Sequence, residues 1–387
     1  MTTNTKQNGA VSLFIVIFTT LLVTIITVSF VRIMLSDQRQ ATAADLSLSA
    51  YDSAQAGVED AKRALLDYQS ECASGDASRC TNAHTLINSI DCNQSLSRVV
   101  SYVPGQEVLV QQNSSDGSAA LQQAYTCVKI TTQTDDYAGI LDQDDTKLVP
   151  LTGVSSFDSV RLEWFSAKNL QGTSTVVDVP LVSASPPLIS QSDWTTTRPN
   201  RPSLMRTQLI QFGDAFTLSD FDNINASSQS NANTLFLYPS TIVDSPKTFV
   251  SDVRKVASPG PTQIHCQSSL GSGGYACSAT ISLPTPINAG SRTAYLRLTS
   301  LYKEANYRVT LLAAGATVKF NGVQPQIDST GRANDLFRRV QSRVEVIDTD
   351  FPYPDAAVDI SGDFCKKFIV TNDPADYPGT SASTCTP

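Results

Sequence analysis

Eight cysteines, Cys72, Cys80, Cys92, Cys127, Cys266, Cys277, Cys365 and Cys385, are the residues of this chain best suited to covalent chemistry. An even number fits disulfides formed in an oxidising compartment. Their spacing suggests local pairs. Cys266–Cys277 would staple a hairpin across a turn holding Gly271, Gly273 and Gly274, and Cys365–Cys385 would close a C-terminal loop. The first four could pair as Cys72–Cys80 and Cys92–Cys127, although four cysteines allow three connectivities. A zinc reading is weak, because no C-x-x-C spacing occurs and only His84 and His265 are available. Nucleophilic catalysis commonly needs a base beside Ser or Cys, and neither histidine lies in such a motif. G-x-S-x-G, H-E-x-x-H and phosphate-binding fingerprints are missing from the sequence. Asp142, Asp144 and Asp145, like Asp348, Asp350 and Asp355, offer hard oxygen ligands suited to calcium. They lack the EF-hand pattern and read as solvated loops. Trp164 is expected in a core, and Trp194 is left unassigned. The expectation is a chain that is no enzyme, with no catalytic residues, metal or cofactor.

The cysteines must be carried by elements that reach an oxidising side, and the N-terminus shows how. Residues 10 to 31, AVSLFIVIFTTLLVTIITVSFV, contain no charge and end before Arg32. As a helix they span about 33 Å, enough for a bilayer's hydrocarbon core. A secretory signal has a shorter apolar core followed by a small-residue cleavage site. Here the run continues into a second helical pattern, in which Tyr51, Ala54, Val58, Ala61, Leu65 and Tyr68 follow one another at steps of 3, 4, 3, 4 and 3 residues. With no Pro before Tyr68, one helix over 10–68 is expected, spanning the membrane over 10–31 and amphipathic over 32–68. Its stripe should pack on the protein's own head.

Lys6-Gln7-Asn8-Gly9 followed by Ala10-Val11-Ser12-Leu13-Phe14 resembles a class III prepilin signal, and the segment from Ala50 to Ala61, AYDSAQAGVEDA, is similar to the corresponding stretch of PilX-type minor pilins. The resemblance covers about the first 65 residues and implies the following. Residues 1–9 are a leader, and a prepilin peptidase cuts between Gly9 and Ala10. Val11, Leu13, Phe14, Ile15, Ile17, Phe18, Leu21, Leu22, Ile25, Ile26 and Phe30 pack first against lipid and then against other pilin subunits, delivered by the pilus assembly platform. Major pilins usually carry Glu at the fifth mature position, here Phe14, which favours a minor or tip-proximal component. Basic residues do not mark orientation, since Lys6 precedes the span while Arg32 and Arg39 follow it. The cysteines, all beyond the span, place the N-terminus on the cytoplasmic side.

The chain is low in charge (17% of residues) and its body is rich in Ser, Thr, Asn and Gln, a composition suited to β-rich extracellular proteins. A formal charge of −8 disfavours DNA as a partner of the whole surface. Residues 69–150 read as a loop-rich, cysteine-containing subdomain with a short helix near 82–90. Residues 151–387 read as a β-rich head with strands near 159–165, 204–212, 234–238, 263–267, 276–283, 294–301, 307–312 and 339–347. The segment from Phe337 to Val346 resembles a late strand of large PilX-like pilins, and its alternating arginines suggest a cationic strand face. The fold class expected is α+β: a long N-terminal transmembrane and spine helix bearing a disulfide-stapled, mainly antiparallel β head. The functional expectation is a minor subunit of a type IV pilus or related pseudopilus, located in the cytoplasmic membrane and then at the cell surface. It would support pilus assembly and adhesion to a host-surface ligand. The alternatives are a membrane-anchored adhesin that never enters a filament, a competence-type DNA-uptake pseudopilin, and an extracellular enzyme on a signal anchor.

Overall fold

The computed structural model describes residues 8–110, 122–184, 186–211, 232–248, 261–271, 273–290 and 294–345. In chain order they form α1 (Asn8–Ala73), α2 (Ala77–Ile87), β1 (Val108–Leu109), β2 (Ala124–Thr134), β3 (Tyr137–Leu141), β4 (Thr146–Pro150), β5 (Phe157–Ser166), β6 (Leu204–Gln211) and β7 (Ala232–Ser240). There follow β8 (Lys247–Thr248), β9 (Thr262–Cys266), β10 (Tyr275–Ile287), β11 (Ala294–Leu301), β12 (Ala305–Ala313), β13 (Ala316–Val318), β14 (Phe320–Ala333) and β15 (Leu336–Arg343). The chain therefore combines one long apolar N-terminal helix with mainly antiparallel β structure and disulfides.

The described residues fall into two compact units, one made of those within 8–134 and 324–345, the other of those within 135–323. The break falls after Thr134, not at 150/151, because β3 and β4 pair with β12 and β11 and so belong to the second unit. The first unit also takes back a late segment, since β14 and β15 complete the sheet of β2.

In the first unit the sheet order is β1-β2-β14-β15, and the second half of α1 packs on it. Val58, Ala61, Ala64 and Leu65 of the helix share a core with Tyr125, Val128 and Ile130 of β2 and with Ile327 of β14. Ile87 of α2 and Leu96 close that core. The expected short helix is α2, begun where the Asp76 carboxylate accepts the amides of Ser78 (2.9 Å) and Arg79 (3.2 Å). Cys72–Cys80 ties α2 to the end of α1, and Cys92–Cys127 ties the following loop to β2. Beside the second bridge, Asn93 is buried in a left-handed conformation (φ 63°), which Asn tolerates. Its side chain accepts the Val128 amide (2.8 Å) and donates to the carbonyls of Gln106 and Thr126.

The second unit is built on an eleven-stranded sheet running β13-β12-β5-β10-β9-β7-β6-β11-β4, with β3 also on β12 and β8 on β10. All its pairings are antiparallel except β7 with β9 and β8 with β10. Each strand expected in 151–347 is present within the described residues, and the alternation of β5 buries Val160, Leu162 and Trp164. The Trp164 indole donates to the Ser203 carbonyl (3.1 Å), confirming its place in the core. Trp194 is buried too, in a satellite cluster with Leu204 and Tyr238, under the Arg201 guanidinium. Cys266 and Cys277 sit opposite each other on β9 and β10, bridging the hairpin below Gly273 and Gly274, both at positive φ. Cys365 and Cys385, together with Asp348, Asp350 and Asp355, lie outside the described residues.

Candidate functional site: the N-terminal helix

Helix α1 has 66 residues and would measure about 99 Å at 1.5 Å per residue. Gly9, Ala10 and Val11 occupy its first turns, and Lys6 lies outside the described residues. From Leu13 to Leu35 every large apolar side chain is exposed on all sides of the rod, including Phe14, Ile15, Ile17, Phe18, Leu21, Leu22, Ile25, Ile26 and Phe30. This is the one helix among the described residues long and apolar enough to cross a membrane.

The β-branched residues that dominate this stretch weaken a helix in water. In hydrocarbon they are tolerated, since only a helix satisfies each backbone amide within the segment. Four threonines interrupt the apolar run, and each folds its hydroxyl back on the helix. Thr19 donates to the Ile15 carbonyl (2.7 Å), Thr20 to Val16 (2.9 Å), Thr27 to Val23 (2.9 Å), and Thr24 to Thr20. These four hydroxyls are thereby bonded within the helix instead of being presented to lipid or to another apolar helix.

The rod changes character at Ala50, where the sheet begins to cover it. Ala54, Val58, Ala61 and Leu65 are buried and Tyr68 is half-buried against the same core, as the stripe implied. Tyr51 is the correction: it stays 44% exposed, and its hydroxyl accepts a hydrogen bond from Gln55. Leu65, Val58 and Tyr51 are spaced by heptads, each of which drifts about 20° on an α-helix, so Tyr51 lies about 40° round from Leu65, past the edge of a buried face centred nearer Ala61 and Ala50.

The face that does dock is Ala50, Ser53, Ala54, Gly57, Val58, Ala61, Ala64 and Leu65, half of it small residues that apolar periodicity overlooks. Smallness here permits backbone contact. A Cβ on Gly57 would come within 2.5 Å of Ser329 Oγ and 2.8 Å of Val128 Cγ2, and one on Gly331 would run into the Ala50 carbonyl and the Ala54 amide. Between them the Ser329 hydroxyl donates to the Ala54 carbonyl at 2.7 Å, in a fully buried position. Helix and strand are thus joined by a direct side-chain-to-backbone bond. Asp60 anchors the same face, accepting the Tyr125 hydroxyl at 2.8 Å, and burial pushes that phenol above its ordinary pKa.

Past the docked face, Glu71 is nearly buried at the end of α1. It accepts Arg79 at 2.6 and 3.0 Å and also Arg98, which pairs in addition with Asp67. The Arg79 hydrogen bond, aided by Arg98, holds the Glu71 carboxyl below its ordinary value against the opposing effect of burial. The arginines of β15 are engaged rather than lined up for a ligand. Arg338 donates to Ser47, Arg339 pairs with Asp328, and Arg343 meets Gln324.

The other residues singled out in the sequence have local structural partners. His265 Nδ1 is 2.7 Å from the Ile242 carbonyl, and the His84 ring leans on Tyr68. Asp144 accepts the Tyr302 amide and Asp145 the Thr146 amide, organising turns of the second unit. Among the described residues no group of three or more His, Cys, Asp or Glu side chains could hold a metal ion.

No protein-family model matches the chain, and no curated protein or solved structure shows significant similarity to it.

Proposed function

We propose that the chain is a minor subunit of a type IV pilus or related pseudopilus, held in the cytoplasmic membrane by α1 and then packed by that helix into a filament. The observation that carries this reading is a single uninterrupted helix with two opposite halves. One is apolar all round and wholly exposed, the other is fastened to a sheet through backbone-close contacts at Gly57 and Gly331. A signal sequence has no need of the second half, and a plain anchor has no need to run on without a break into the folded unit. In the membrane the exposed half contacts lipid. In the filament it exchanges lipid for neighbouring helices, an exchange driven by packing because both surroundings are equally apolar. Phe14 at the fifth position of the trimmed chain favours a minor or tip-proximal place.

Processing and shearing test the proposal. In cells with an active prepilin peptidase, intact-mass analysis should find the mature protein beginning at Ala10, and Gly9→Val should leave it beginning at Met1. Mechanical shearing should release the processed protein with the fibre fraction. A wild-type protein that keeps Met1, or that stays entirely with the membranes after shearing, overturns the filament reading in favour of a permanently anchored adhesin.

A further inference from the structure

Three segments of the first unit meet around a small cavity beside the end of α1. Ala64, Asp67 and Tyr68 line it from α1, Ala83 from α2, and Ser95 and Arg98 from the chain that follows. Residues three or four apart share one face of a helix, so α1 closes the cavity with a single face. Where the segments converge their side chains are small: Ala64, Ala83 and Ser95. Small residues let the three segments approach but do not fill the point at which they meet. About 10 Å³ is left in which the centre of a water-sized sphere can lie, which is room for one water and for no larger molecule.

Ser95 is 3% exposed, and among the described residues its hydroxyl has no hydrogen-bond partner. A serine inside a helix folds its hydroxyl onto a carbonyl of the preceding turn, as the threonines of the rod do. Ser95 has no preceding turn, because it stands in a single 3₁₀ turn (Gln94–Leu96) entered from the left-handed Asn93. Buried hydroxyls are nearly always bonded, since an unbonded one loses its hydration without compensation. The remaining lining supplies what the hydroxyl lacks. Asp67 and Arg98 pair across the cavity's rim at 2.7 Å, the carboxylate accepting and the guanidinium donating. Their opposite charges also select the occupant. Asp67 disfavours an anion, Arg98 disfavours a cation, and the hydroxyl disfavours a dry apolar filling. A small neutral molecule that both donates and accepts fits all three.

We infer that this cavity is the binding site of one structural water, held by the Ser95 hydroxyl and the Asp67–Arg98 pair. The water joins the end of α1 to the turn around Ser95. Arg98 already ties that stretch to Asp67 and Glu71 by ion pairs, and the water is the neutral member of the same network. The site belongs to the first unit alone and holds whether or not the chain enters a filament.

Stability and diffraction of the full-length chain in detergent test this. With the hydroxyl bonded to water, Ser95→Ala removes a hydrogen bond and should lower the folding equilibrium constant by roughly five-fold, read from the denaturant midpoint. With the hydroxyl unbonded, the same change removes a buried polar group that nothing satisfies, and the constant should stay the same or rise. That result would overturn the inference. Electron density of the wild-type protein is the second measurement and depends on no variant folding. It should show a single peak about 2.5–3.2 Å from Ser95 Oγ and from a polar atom of Asp67 or Arg98. Continuous density of a larger molecule, a Ser95 hydroxyl turned onto a protein group, or no peak in a map that resolves waters elsewhere in the first unit would each overturn the site, whatever Ser95→Ala does to stability.

Discussion

At the scale of single residues, glycine and small side chains decide where the helix sits. Gly57 and Gly331 have no room for a methyl group, and the neighbours of Gly331 are helix backbone, which cannot swing aside as a side chain can. Gly57→Ala is expected to destabilise the detergent-solubilised protein by about 1–3 kcal/mol through overpacking, and Gly331→Ala by more, read from denaturant midpoints. Ser329→Ala should cost about 1–3 kcal/mol, since it leaves the buried Ala54 carbonyl without that donor. Glu71 makes a pH-dependent contribution. Its carboxyl titrates lower in the folded than in the unfolded chain, so its stabilisation is complete above the ordinary glutamate pKa and is lost as pH falls through the depressed value. Glu71→Gln should therefore be less stable at neutral pH and lose less on acidification, measured as midpoint against pH. None of these contacts was visible in the sequence, because small and polar residues become informative only once the surface facing them is known. The apolar positions Ala54, Val58, Ala61 and Leu65 were legible because helical periodicity is local, and Tyr51 was misplaced because a short stripe does not reveal its own drift.

At the scale of elements, legibility followed range. Strand β12 alternates along most of its length and β5 over its middle, while β11 is buried on nearly every residue, and all three sit where the pattern put them. The long β2 and β14 went unrecognised: Ala124–Thr134 has strand-forming residues but lies in a stretch read as loop-rich, and Phe320–Ala333 is punctuated by Gly322, Pro325 and Gly331 as a loop would be. The pairing of the first four cysteines was open on paper, and the structure closes it as Cys72–Cys80 and Cys92–Cys127. The two bridges differ in reach, with sequence separations of 8 and 35. By chain entropy the longer loop is worth up to about 4 kcal/mol. Replacing Cys92 and Cys127 together by Ser should therefore lower the denaturant midpoint more than replacing Cys72 and Cys80. Near-equal losses would show that native contacts around Asn93, rather than loop closure, dominate.

At the scale of the whole molecule, the first unit is assembled from both ends of the described chain, and this arrangement was illegible in the sequence because nothing local marks residues 324–345 as belonging with α1. The seat of the helix is incomplete without β14 and β15, and the bond between Ser329 and Ala54 spans 275 residues of sequence. Protein synthesis runs in one direction, so the hydrophobic rod leaves the ribosome long before the strands that will grip its other half have been translated. A chain interrupted before Gln324 should still be retained by membranes but be degraded rapidly by proteases acting outside the span, as pulse-chase with added protease would reveal. Completion of translation thus becomes a checkpoint: only a copy finished at least through β15 has its apolar rod fastened to a complete first unit.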